Sequence, residues 1–488
     1  MEIKFLSIKE LNEKLKNQEI TISQLTNLTI KNLKEEMSSN FLVTLTEDHS
    51  LERAKELEKT KNFDNPLYGI PYVTKDNIST KDILTTGSSR ILSNYYPTFD
   101  ATITETLDKS GAILCGKATL DELGMGGTGL FAFNGEVRNP LDKERIIGGS
   151  SSGSAFAVAT GLVPYSTGTD TGDSIRKPAS YTGIVGFKPT YGSISRYGVI
   201  PYSPSLDHVG FFTRSVEDMA ILCDASFGLD HNDFTSIDNK QSFSANLNEK
   251  KEKIKFGFLT SVEKYMDKSL LGSYEKLFDK VKKDGHEVIF VDFKKELLDA
   301  ITAAYMMISF SEGATTHANL DGINFGKREK GQDYLEIMRN SRSKNFGSTV
   351  KRRFVIGSFQ LKKENQERLL AKSKKVRRLI NEELSRVYEE IDILILPPSL
   401  NVAPKVSEVL GTDVEERDND EKVFLEDLLI LANFNGMPSI TLPFIKSNGL
   451  PIGINLNARP KNDLELLQVS KYIEEVVAKQ KNGGETND

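Results

Sequence analysis

The chain has 488 residues, of which 38% are hydrophobic and 27% charged, and its formal net charge is −6 at pH 7. This composition predicts a soluble globular protein with a sizeable core, and the lack of a basic block argues against a main nucleic-acid-binding surface. No apolar run approaches the roughly 18 residues that a membrane span needs, so no membrane association is expected.

The two cysteines, Cys115 and Cys223, stand in apolar segments, and we expect both to be small buried core residues. Two thiols in a chain of this length predict no disulfide framework, which is typical of a reducing, cytoplasmic compartment. The first residues mix charges with apolar residues at helical spacing. We therefore expect neither a signal peptide nor a membrane anchor there.

The first 35 residues or so predict two amphipathic helices, because Ser7 and Thr21 each begin a capping-box pattern. We expect residues 1–65 to form a helical segment packed on the core. From Tyr68 onward, strand-like and helix-like segments alternate, which indicates an α/β sheet protein. In chain order these segments are GIPYVTK (strand), DATITETLDKSG (helix), AILCG (strand), 154–161 (helix) and LVPYSTG (strand).

The polar, aperiodic stretch 231–253 predicts a long surface connection within one large domain, which we place at residues 66–480. Beyond the connection, KIKFGFLT, HEVIFVDF, IDILILPP, PSITLPF and PIGINLN predict further strands. Residues 358–390 carry the longest helical pattern, 463–480 predict a closing helix, and 481–488 form a polar tail.

The segment TGTDTGDSIRKP presents Ser174 as a candidate nucleophile. A serine hydroxyl needs a positioned proton acceptor before it can attack a carbonyl carbon. The backbone amides of the turn that contains Thr171, Gly172 and Asp173 are candidates for an oxyanion hole. The same run also fits an ordinary turn with local side-chain hydrogen bonds, so the serine alone does not define a site.

Lys75 is the candidate base, because it follows the apolar strand GIPYVT and its stem can be buried there. A lysine acts as a base near pH 7 only when burial or a cationic neighbour lowers its pKa. A solvated surface lysine is the alternative. Ser150, in the glycine- and serine-rich loop 148–153, is the candidate for a group that passes a proton between Ser174 and Lys75.

Two rival kinds of site are weaker. The loop GGSSSGSA opens a helix, but it lacks the lysine of a phosphate-binding P-loop. The five histidines are scattered, none lies in a G-x-S-x-G context, and no cluster has metal-ligand spacing, so no metal site is expected. These histidines are His49, His208, His231, His286 and His317.

Lys75, Ser150 and Ser174, in this order and in these contexts, resemble the amidase signature family. The resemblance implies a Ser–cis-Ser–Lys triad with a cis peptide bond at Gly149–Ser150. It also implies that residues 66–480 form one amidase-signature domain, with a mixed central β-sheet covered by helices on both faces.

Within the family, the chain is most similar to the glutamine-hydrolysing A subunits of tRNA-dependent amidotransferases. The runs KPTYGSISRYG and VKRR carry this similarity, which extends over nearly the whole length. It implies a glutaminase that supplies ammonia for the amidation of Glu-tRNA(Gln), or of Asp-tRNA(Asn). It further implies a heterotrimer with two other subunits, B and C. A partner subunit is expected to bind ATP and magnesium and to hold most of the aminoacyl-tRNA, whereas this chain needs no cofactor.

The same resemblance implies residues that bind glutamine. An arginine of the VKRR run, Arg352 or Arg353, is expected to bind the α-carboxylate, since a guanidinium pairs with a carboxylate through two hydrogen bonds. Glu426 or its neighbour Asp427 is expected to bind the α-ammonium group. Tyr305 is expected to contact the substrate as well.

Three positions depart from the family pattern: Ser152 and Asp173 replace glycines, and Glu426 replaces an aspartate. None of them removes a member of the expected triad. Two alternatives therefore stay open, namely a stand-alone amidase that acts on another small amide and a non-catalytic scaffold of the same fold. Asp173, beside the candidate nucleophile, is the feature that favours the scaffold.

Overall fold

The structure is a computed structural model that describes residues 2–249, 252–411 and 427–483. Its helices within these ranges are α1 (Ile8–Lys16), α2 (Ile22–Glu35), α3 (Glu47–Thr60), α4 (Thr102–Lys109), α5 (Ser152–Ala159), α6 (Arg176–Thr182), α7 (Val216–Ser226), α8 (Phe243–Asn246), α9 (Thr260–Glu263), α10 (Lys268–Lys283), α11 (Lys295–Asp299), α12 (Ile301–Thr316), α13 (Tyr334–Asn345), α14 (Ser348–Gln360), α15 (Lys363–Gln366), α16 (Lys372–Glu390), α17 (Val406–Gly411), α18 (Ile430–Asn435) and α19 (Asp463–Gly483). Short 3₁₀ turns occur at Met37–Ser39, Arg90–Leu92 and Glu122–Gly124, and Glu367–Ala371 form a π-helical turn.

The described strands form one mixed sheet, in the order β1-β3-β2-β4-β6-β5-β10-β11-β9-β7-β8. Their bounds are β1 (Leu42–Leu45), β2 (Pro71–Lys75), β3 (Ile113–Ala118), β4 (Tyr165–Asp170), β5 (Val185–Lys188), β6 (His208–Thr213), β7 (Lys255–Leu259), β8 (Glu287–Val291), β9 (Ile393–Leu396), β10 (Ser439–Ser447) and β11 (Leu450–Asn457). The predicted α/β class with a mixed central sheet is confirmed.

Strand direction brings two candidate segments to the same edge of the sheet. β2 is parallel to both β3 and β4, so the carboxyl ends of the three strands lie side by side. Lys75 is the last residue of β2, and the turn that contains Ser174 follows β4. Residues almost a hundred positions apart in the chain thereby become neighbours.

The N-terminal segment joins the sheet as well as covering it. Both predicted capping boxes are present, with Ser7 and Glu10 in α1 and with Thr21 and Gln24 in α2. Apolar residues of α1 and α2 belong to the main hydrophobic core. In addition, β1 pairs antiparallel with β3, so this segment contributes a strand that the helical pattern did not predict. The domain boundary near residue 65 stays a prediction.

The longest predicted helical pattern, 358–390, is divided in the structure. α14 ends at Gln360, and the backbone becomes extended at Lys362 before α15 begins. Side chains compete for the carbonyl groups at this break, since Asn365 Nδ2 donates to Phe359 O at 2.8 Å and Gln366 Nε2 donates to Leu361 O at 2.7 Å. The prediction of a single helical run is therefore wrong at this point.

The predicted polar connection, 231–253, is irregular apart from the single turn of α8, and Lys250 and Lys251 lie outside the described residues. At the other end, α19 extends to Gly483 and so enters the predicted polar tail. Both cysteines, Cys115 and Cys223, are buried and unpaired, as predicted.

Candidate active site

Lys75 is completely buried, and hydroxyl groups surround its amine. Its Nζ lies 2.8 Å from Ser150 Oγ, 2.8 Å from Ser151 Oγ and 2.8 Å from Thr169 Oγ1. A longer contact of 3.2 Å joins Nζ to the carbonyl oxygen of Thr169. The structure thus brings two predicted residues, Lys75 and Ser150, into direct hydrogen-bonding contact.

Burial lowers the pKa of Lys75 to about 7, because an ammonium group loses its hydration in the protein interior. The carboxylates of Asp121 and Asp170 act in the opposite direction, since nearby negative charge favours the ammonium form. A substantial fraction of Lys75 is consequently uncharged at neutral pH. The uncharged amine is the form that can accept a proton.

The neighbours of Lys75 orient this uncharged amine. The Ser151 hydroxyl donates its own hydrogen to Thr169 O at 3.1 Å, so its oxygen accepts from Lys75. Thr169 supplies the second acceptor, through its hydroxyl or its carbonyl oxygen. A neutral amine has two N–H groups and one lone pair. With both N–H groups directed at Ser151 and Thr169, the lone pair is left for the Ser150 hydroxyl.

The loop that carries Ser150 packs tightly against a buried carboxylate. The Gly149–Ser150 peptide bond is cis, as the resemblance implies. A Cβ atom on Gly149 would lie 2.1 Å from Asp121 Oδ2, so only glycine fits there. Asp121 is itself fixed by three amides of residues 128–131, each at 3.0 Å from its carboxylate oxygens. The Asp121 backbone amide also donates to Ser150 O at 3.1 Å, so Asp121 holds the loop in place.

Ser174 is buried in the turn between β4 and α6. Its carbonyl oxygen accepts the Ser151 amide at 3.3 Å, which ties this turn to the loop that carries Ser150. Across residues 2–249, 252–411 and 427–483, no hydrogen bond joins the Ser174 hydroxyl to Ser150. The structure therefore connects the two serines through their loops and not through their hydroxyl groups.

The turn before Ser174 offers free backbone donors. Within the described part of the chain, the amides of Gly172, Asp173 and Ser174 donate to no protein acceptor. Unpaired amides are uncommon in a buried segment, and converging amides are the usual donors of an oxyanion hole. Thr171 contributes differently, because its hydroxyl donates to Asp207 Oδ1 at 2.6 Å and so anchors the turn.

A buried ion pair that the sequence patterns did not indicate fixes the same turn. Arg176 Nη2 donates to Asp170 Oδ1 at 2.8 Å and to the carbonyl oxygen of Gly172 at 2.7 Å. Asn433 Nδ2 also donates to Asp170 Oδ1, at 2.9 Å. Burial acts to raise the pKa of Asp170, but the Arg176 guanidinium holds that pKa well below its usual range. Both members of the pair are therefore charged.

The two glycine replacements are accommodated without disturbing Lys75. Ser152 Oγ donates to the carbonyl oxygen of Thr119 at 3.3 Å. The carboxylate of Asp173 pairs with Lys177 Nζ at 3.3 Å along the first turn of α6. Burial raises the pKa of Asp173 to about 6, although Lys177 acts to lower it. The Asp173 side chain is thus engaged with a cation at neutral pH.

Tyr305, on α12, packs over the turn. A Cβ atom on Gly172 would lie 3.2 Å from the Tyr305 hydroxyl oxygen, so the glycine permits this close approach. Burial raises the pKa of Tyr305 well above its usual value, so the hydroxyl group stays protonated. The predicted substrate residue therefore adjoins the predicted oxyanion donors.

The structure separates the two arginines of the VKRR run. Arg353 Nη1 donates to the Tyr202 hydroxyl at 2.9 Å, and the guanidinium lies 5.1 Å from the centre of the Phe310 ring. Arg353 also lies close enough to Tyr305 to influence its pKa. Arg352, in contrast, is exposed, because its side chain projects from α14 about 100° around the helix axis from that of Arg353. Only Arg353 therefore faces the candidate site.

Of the two acidic residues predicted to bind the α-ammonium group, the structure describes Asp427. Asp427 accepts a hydrogen bond from the Thr302 hydroxyl at 2.5 Å and influences the pKa of both Tyr305 and Asp173. Glu426 lies outside the described residues. A carboxylate and a guanidinium, those of Asp427 and Arg353, thus lie near enough to Tyr305 to act on its pKa in opposite directions.

Two general features complete the description of the site. In the described ranges, no three or more His, Cys, Asp or Glu side chains converge in a way that could hold a metal ion. Among the helices described here, none is both long and apolar enough to span a membrane.

A buried lysine–serine pair, a second serine and free turn amides together make a site suited to acyl transfer. A model of the Amidase family matches residues 24–467, and the chain belongs to this family. The predicted family is therefore confirmed.

Individual relatives give a more specific comparison than the family model does. The A subunit of glutamyl-tRNA(Gln) amidotransferase from Mycoplasma pneumoniae is 41% identical over 452 residues, which cover 91% of this chain and 92% of that protein. The solved structure of the corresponding protein from Thermotoga maritima superposes with a TM-score of 0.77 at 31% identity, covering 97% of this chain and 95% of that one. A peptide amidase from Stenotrophomonas maltophilia shares the fold, with a TM-score of 0.83 at 24% identity over 97% of each chain.

Several residues of the site were not predicted from the sequence. Ser151 and Thr169 contact the Lys75 amine as directly as Ser150 does, and Asp121 positions the loop. A signal for Ser151 was present in the run of three serines. For Thr169 the signal was the alternation of side chains along β4, which places residues 167 and 169 on the same side of the sheet.

Proposed function

We propose that this chain hydrolyses glutamine and supplies the released ammonia to a partner that amidates Glu-tRNA(Gln). The observation that carries the proposal is the Lys75 amine, which is buried, uncharged in part at neutral pH, and directed by Ser151 and Thr169 at the Ser150 hydroxyl. The names of the relatives that cover most of the chain support glutamine as donor and glutamyl-tRNA(Gln) as acceptor.

In the first half of the proposed reaction, Ser174 Oγ attacks the side-chain amide carbon of glutamine. The Ser174 proton passes to Ser150 Oγ as the Ser150 proton passes to Lys75. The free amides of residues 172–174 stabilise the oxyanion that forms. When the tetrahedral intermediate collapses, the C–N bond breaks and the nitrogen takes a proton back through Ser150. Ammonia leaves, and a glutamyl ester remains on Ser174.

The second half repeats the relay with water as the nucleophile. A water molecule attacks the ester carbon and gives its proton, through Ser150, to Lys75. The bond between the glutamyl group and Ser174 Oγ then breaks, and Ser174 recovers its proton by the same route. Glutamate leaves, and Lys75 returns to its uncharged form.

Substrate binding follows from the charges around Tyr305. Arg353 is the proposed partner of the glutamine α-carboxylate, and Asp427 that of the α-ammonium group. Glu426 is a second candidate for the ammonium contact. The protonated Tyr305 hydroxyl group lies next to Gly172, and it is proposed to contact the glutamine that binds at this turn.

The proposal assigns the other activities to partner subunits. The chain carries no P-loop and no basic nucleic-acid-binding block. We therefore propose a cytoplasmic heterotrimer with two other subunits, B and C, in which a partner subunit binds ATP and magnesium and holds most of the aminoacyl-tRNA. Asp-tRNA(Asn) is the alternative acceptor.

The test is the formation of glutamate and ammonia from glutamine, by the purified chain alone and with its partner subunits, ATP and Glu-tRNA(Gln). We expect formation to rise in the full mixture and to be lost in Ser174→Ala. Ser152→Gly is the matched control, because it changes a buried serine of the neighbouring loop whose hydroxyl, among the residues that the structure describes, bonds only to Thr119 O.

Two other outcomes would replace the proposal. Rapid hydrolysis of other amides, unaffected by the partners, would establish a stand-alone amidase. No product under any condition, together with no labelling of Ser174 by a fluorophosphonate, would establish a scaffold. Repeating the same assay with Asp-tRNA(Asn) in place of Glu-tRNA(Gln) identifies which of the two tRNAs is the acceptor.

A further inference from the structure

The two ends of the proposed glutamine site lie on different parts of the chain. The amides that are proposed to receive the side-chain amide belong to the turn of residues 171–174, which follows β4 and is called the oxyanion turn below. Arg353, the proposed partner of the α-carboxylate, belongs to α14. A productive substrate must contact both ends at once, so the distance between them decides which substrate length fits. Residues 202–207, which form a turn before β6, contact both ends.

One carboxylate, that of Asp207, joins the oxyanion turn to the backbone at Tyr202. Asp207 Oδ1 accepts from the Thr171 hydroxyl at 2.6 Å. Asp207 Oδ2 accepts from the amides of Tyr202 and Ser203, at 2.8 and 2.9 Å. Because Asp207 is buried, these hydrogen bonds have little competition from water. The two oxygens of this carboxylate thus hold two backbone segments at a fixed separation.

The side chain of Tyr202 continues this link to Arg353. Arg353 Nη1 donates to the Tyr202 hydroxyl at 2.9 Å, and that hydroxyl donates in turn to Ser309 Oγ at 3.1 Å. The Tyr202 ring is buried, and it packs in the same apolar cluster as Phe354 of α14. The guanidinium of Arg353 is therefore held by a hydroxyl group that is itself held in place.

Helix α12 binds the same turn through two of its polar side chains. Glu312 Oε2 accepts from the Ser203 hydroxyl at 2.6 Å and from the Ser205 amide at 3.0 Å. Ser309, which accepts from Tyr202, lies about one helical turn earlier on α12. The turn of residues 202–207 is consequently fixed along its length, and the two ends of the proposed site are connected by one framework of hydrogen bonds.

We propose that Asp207 and Tyr202 are positioning residues that set the length of the substrate and make the site selective for glutamine over asparagine. The inference rests on the proposed function and names residues that select its substrate. Asparagine is shorter than glutamine by one methylene group. In a rigid framework it cannot bind Arg353 and also place its amide carbon at the oxyanion turn. A site that detects one missing methylene group discriminates by about 10–200-fold in kcat/KM.

The test compares kcat/KM for glutamine and for asparagine, measured as glutamate and aspartate formed by the chain with its partner subunits. For the unmodified protein we expect a preference for glutamine of about 10–200-fold. In Tyr202→Phe the guanidinium of Arg353 loses the hydroxyl that fixes it. We expect kcat/KM for glutamine to fall about fivefold, mainly through KM, since one hydrogen bond is lost. Asparagine does not use both ends at once, so its kcat/KM should change less than about twofold.

Asp207→Asn changes the other half of the link and keeps the size of the side chain. An amide has a single acceptor oxygen, so this variant loses either the Thr171 hydroxyl or the two backbone amides. We expect the preference for glutamine to fall about fivefold here too. If Asp207→Asn does not fold, which circular dichroism shows, Tyr202→Phe decides the matter.

A double variant shows whether the Tyr202 hydroxyl acts through Arg353. Adding Tyr202→Phe to Arg353→Ala should cause no further loss of kcat/KM for glutamine, because the group that the hydroxyl positions is already absent. Tyr191→Phe is the matched control, since the Tyr191 hydroxyl donates to Pro204 O in the same turn at 2.6 Å. This control is expected to keep the preference for glutamine within about twofold of the unmodified value.

Three results would overturn the inference. The first is an equal loss for both substrates in Tyr202→Phe, which would mean that the residue only stabilises the fold. The second is a loss of preference in Tyr191→Phe as large as that in Tyr202→Phe, and the third is an unmodified protein that hydrolyses both substrates equally well. Failure of the proposed function gives a different result, because the unmodified protein would then form no glutamate from glutamine.

Discussion

Two lysines on adjacent strands show what distinguishes a proposed base from a structural cation. Lys75 ends β2, and Lys117 lies in β3; both side chains are completely buried. Burial lowers the pKa of Lys75 to about 7 and that of Lys117 to about 8. The strand register pairs Lys75 with Ala118 and Lys117 with Thr74, so the two side chains leave the sheet on opposite faces.

Their hydrogen-bond partners differ more than their pKa values do. Lys117 Nζ donates to Ile78 O at 2.6 Å, Thr85 Oγ1 at 2.8 Å and Thr80 Oγ1 at 3.0 Å. These groups belong to one short loop, which the lysine holds together. Lys75 instead contacts Ser150, whose loop is tied to the turn that carries the proposed nucleophile, Ser174. A lowered pKa is therefore not sufficient for the proposed role, and the identity of the partner decides it.

The largest expected effect is that of Lys75→Met, which keeps the length of the side chain and removes the amine. We expect kcat for glutamine hydrolysis to fall by about 10³-fold or more, since general base catalysis contributes about 10²–10⁴-fold. Steady-state glutamate formation measures it, and circular dichroism checks the fold. Residual activity near that of the unmodified protein would show that the Ser150 proton has another acceptor.

Arg353 and Arg352 extend the comparison to a second pair of like residues. For Arg353→Ala, we expect KM for glutamine to rise about 30-fold, because a charged hydrogen bond to the substrate carboxylate contributes about 2 kcal/mol. Arg352→Ala is the matched control and is expected to change KM less than about twofold, as is usual for surface substitutions. Initial rates over a range of glutamine concentrations measure both. Equal effects of the two would contradict the assignment of the carboxylate to Arg353.

Lys117→Met tests the other half of the lysine comparison. Removing the amine leaves the Ile78 carbonyl and two threonine hydroxyls without their donor, which we expect to lower the free energy of unfolding by about 1–3 kcal/mol. Glutamine hydrolysis should stay within about threefold of the unmodified rate, since Lys117 does not contact Ser150. Urea denaturation and glutamate formation measure the two quantities. A loss of activity as deep as that of Lys75→Met would contradict the distinction.

The sequence predicts this site where the relevant information is local. A strand that ends at Lys75, a glycine-rich loop with Ser150 and a polar turn with Ser174 are each visible as short patterns. The helix phase of α14 is local as well: Val350, Phe354 and Gly357 recur at helical spacing on the buried side, which leaves Arg353 half-buried beside them and Arg352 exposed. This phase separates the two arginines only once the limits of the helix are known.

What could not be predicted depends on contacts between distant parts of the chain. Asp170 is paired with Arg176 through a buried network that includes Asn433, more than 250 residues away. A third buried lysine, Lys188, donates to the carbonyl oxygen of Met437. Composition gives no means of distinguishing Lys75, Lys117 and Lys188, because burial is a property of the assembled sheet.

The pH dependence separates activity from stability. Only uncharged Lys75 can accept a proton, so kcat/KM for glutamine should fall about tenfold per pH unit well below its pKa of about 7. The free energy of unfolding changes with pH in a different, more alkaline range. An unfolded lysine titrates near 10.5, so between the folded and unfolded pKa values the unfolded chain binds more protons, and stability rises with pH. Lys117→Met should reduce this rise above pH 8 and leave the acid limb of kcat/KM in place.

The smallest expected effect concerns Asp173, whose charge raises the pKa of Lys75. In Asp173→Asn that charge is absent, so the uncharged amine persists to lower pH. The acid limb of kcat/KM should move down by about half a pH unit or less, as expected for one charge in a partly hydrated site. The control is Asp64→Asn, since Asp64 is exposed and pairs with Lys16 at the surface. Loss of hydrolysis in Asp173→Asn would instead mean that the carboxylate holds the turn through Lys177.

An acid limb that moves to higher pH would mean that Asp173 does not act on Lys75 as a simple negative charge. A shift in the expected direction, with the plateau retained, would show that a carboxylate beside the proposed nucleophile is compatible with the proposed oxyanion donors. That result would remove the one feature that favours a non-catalytic scaffold.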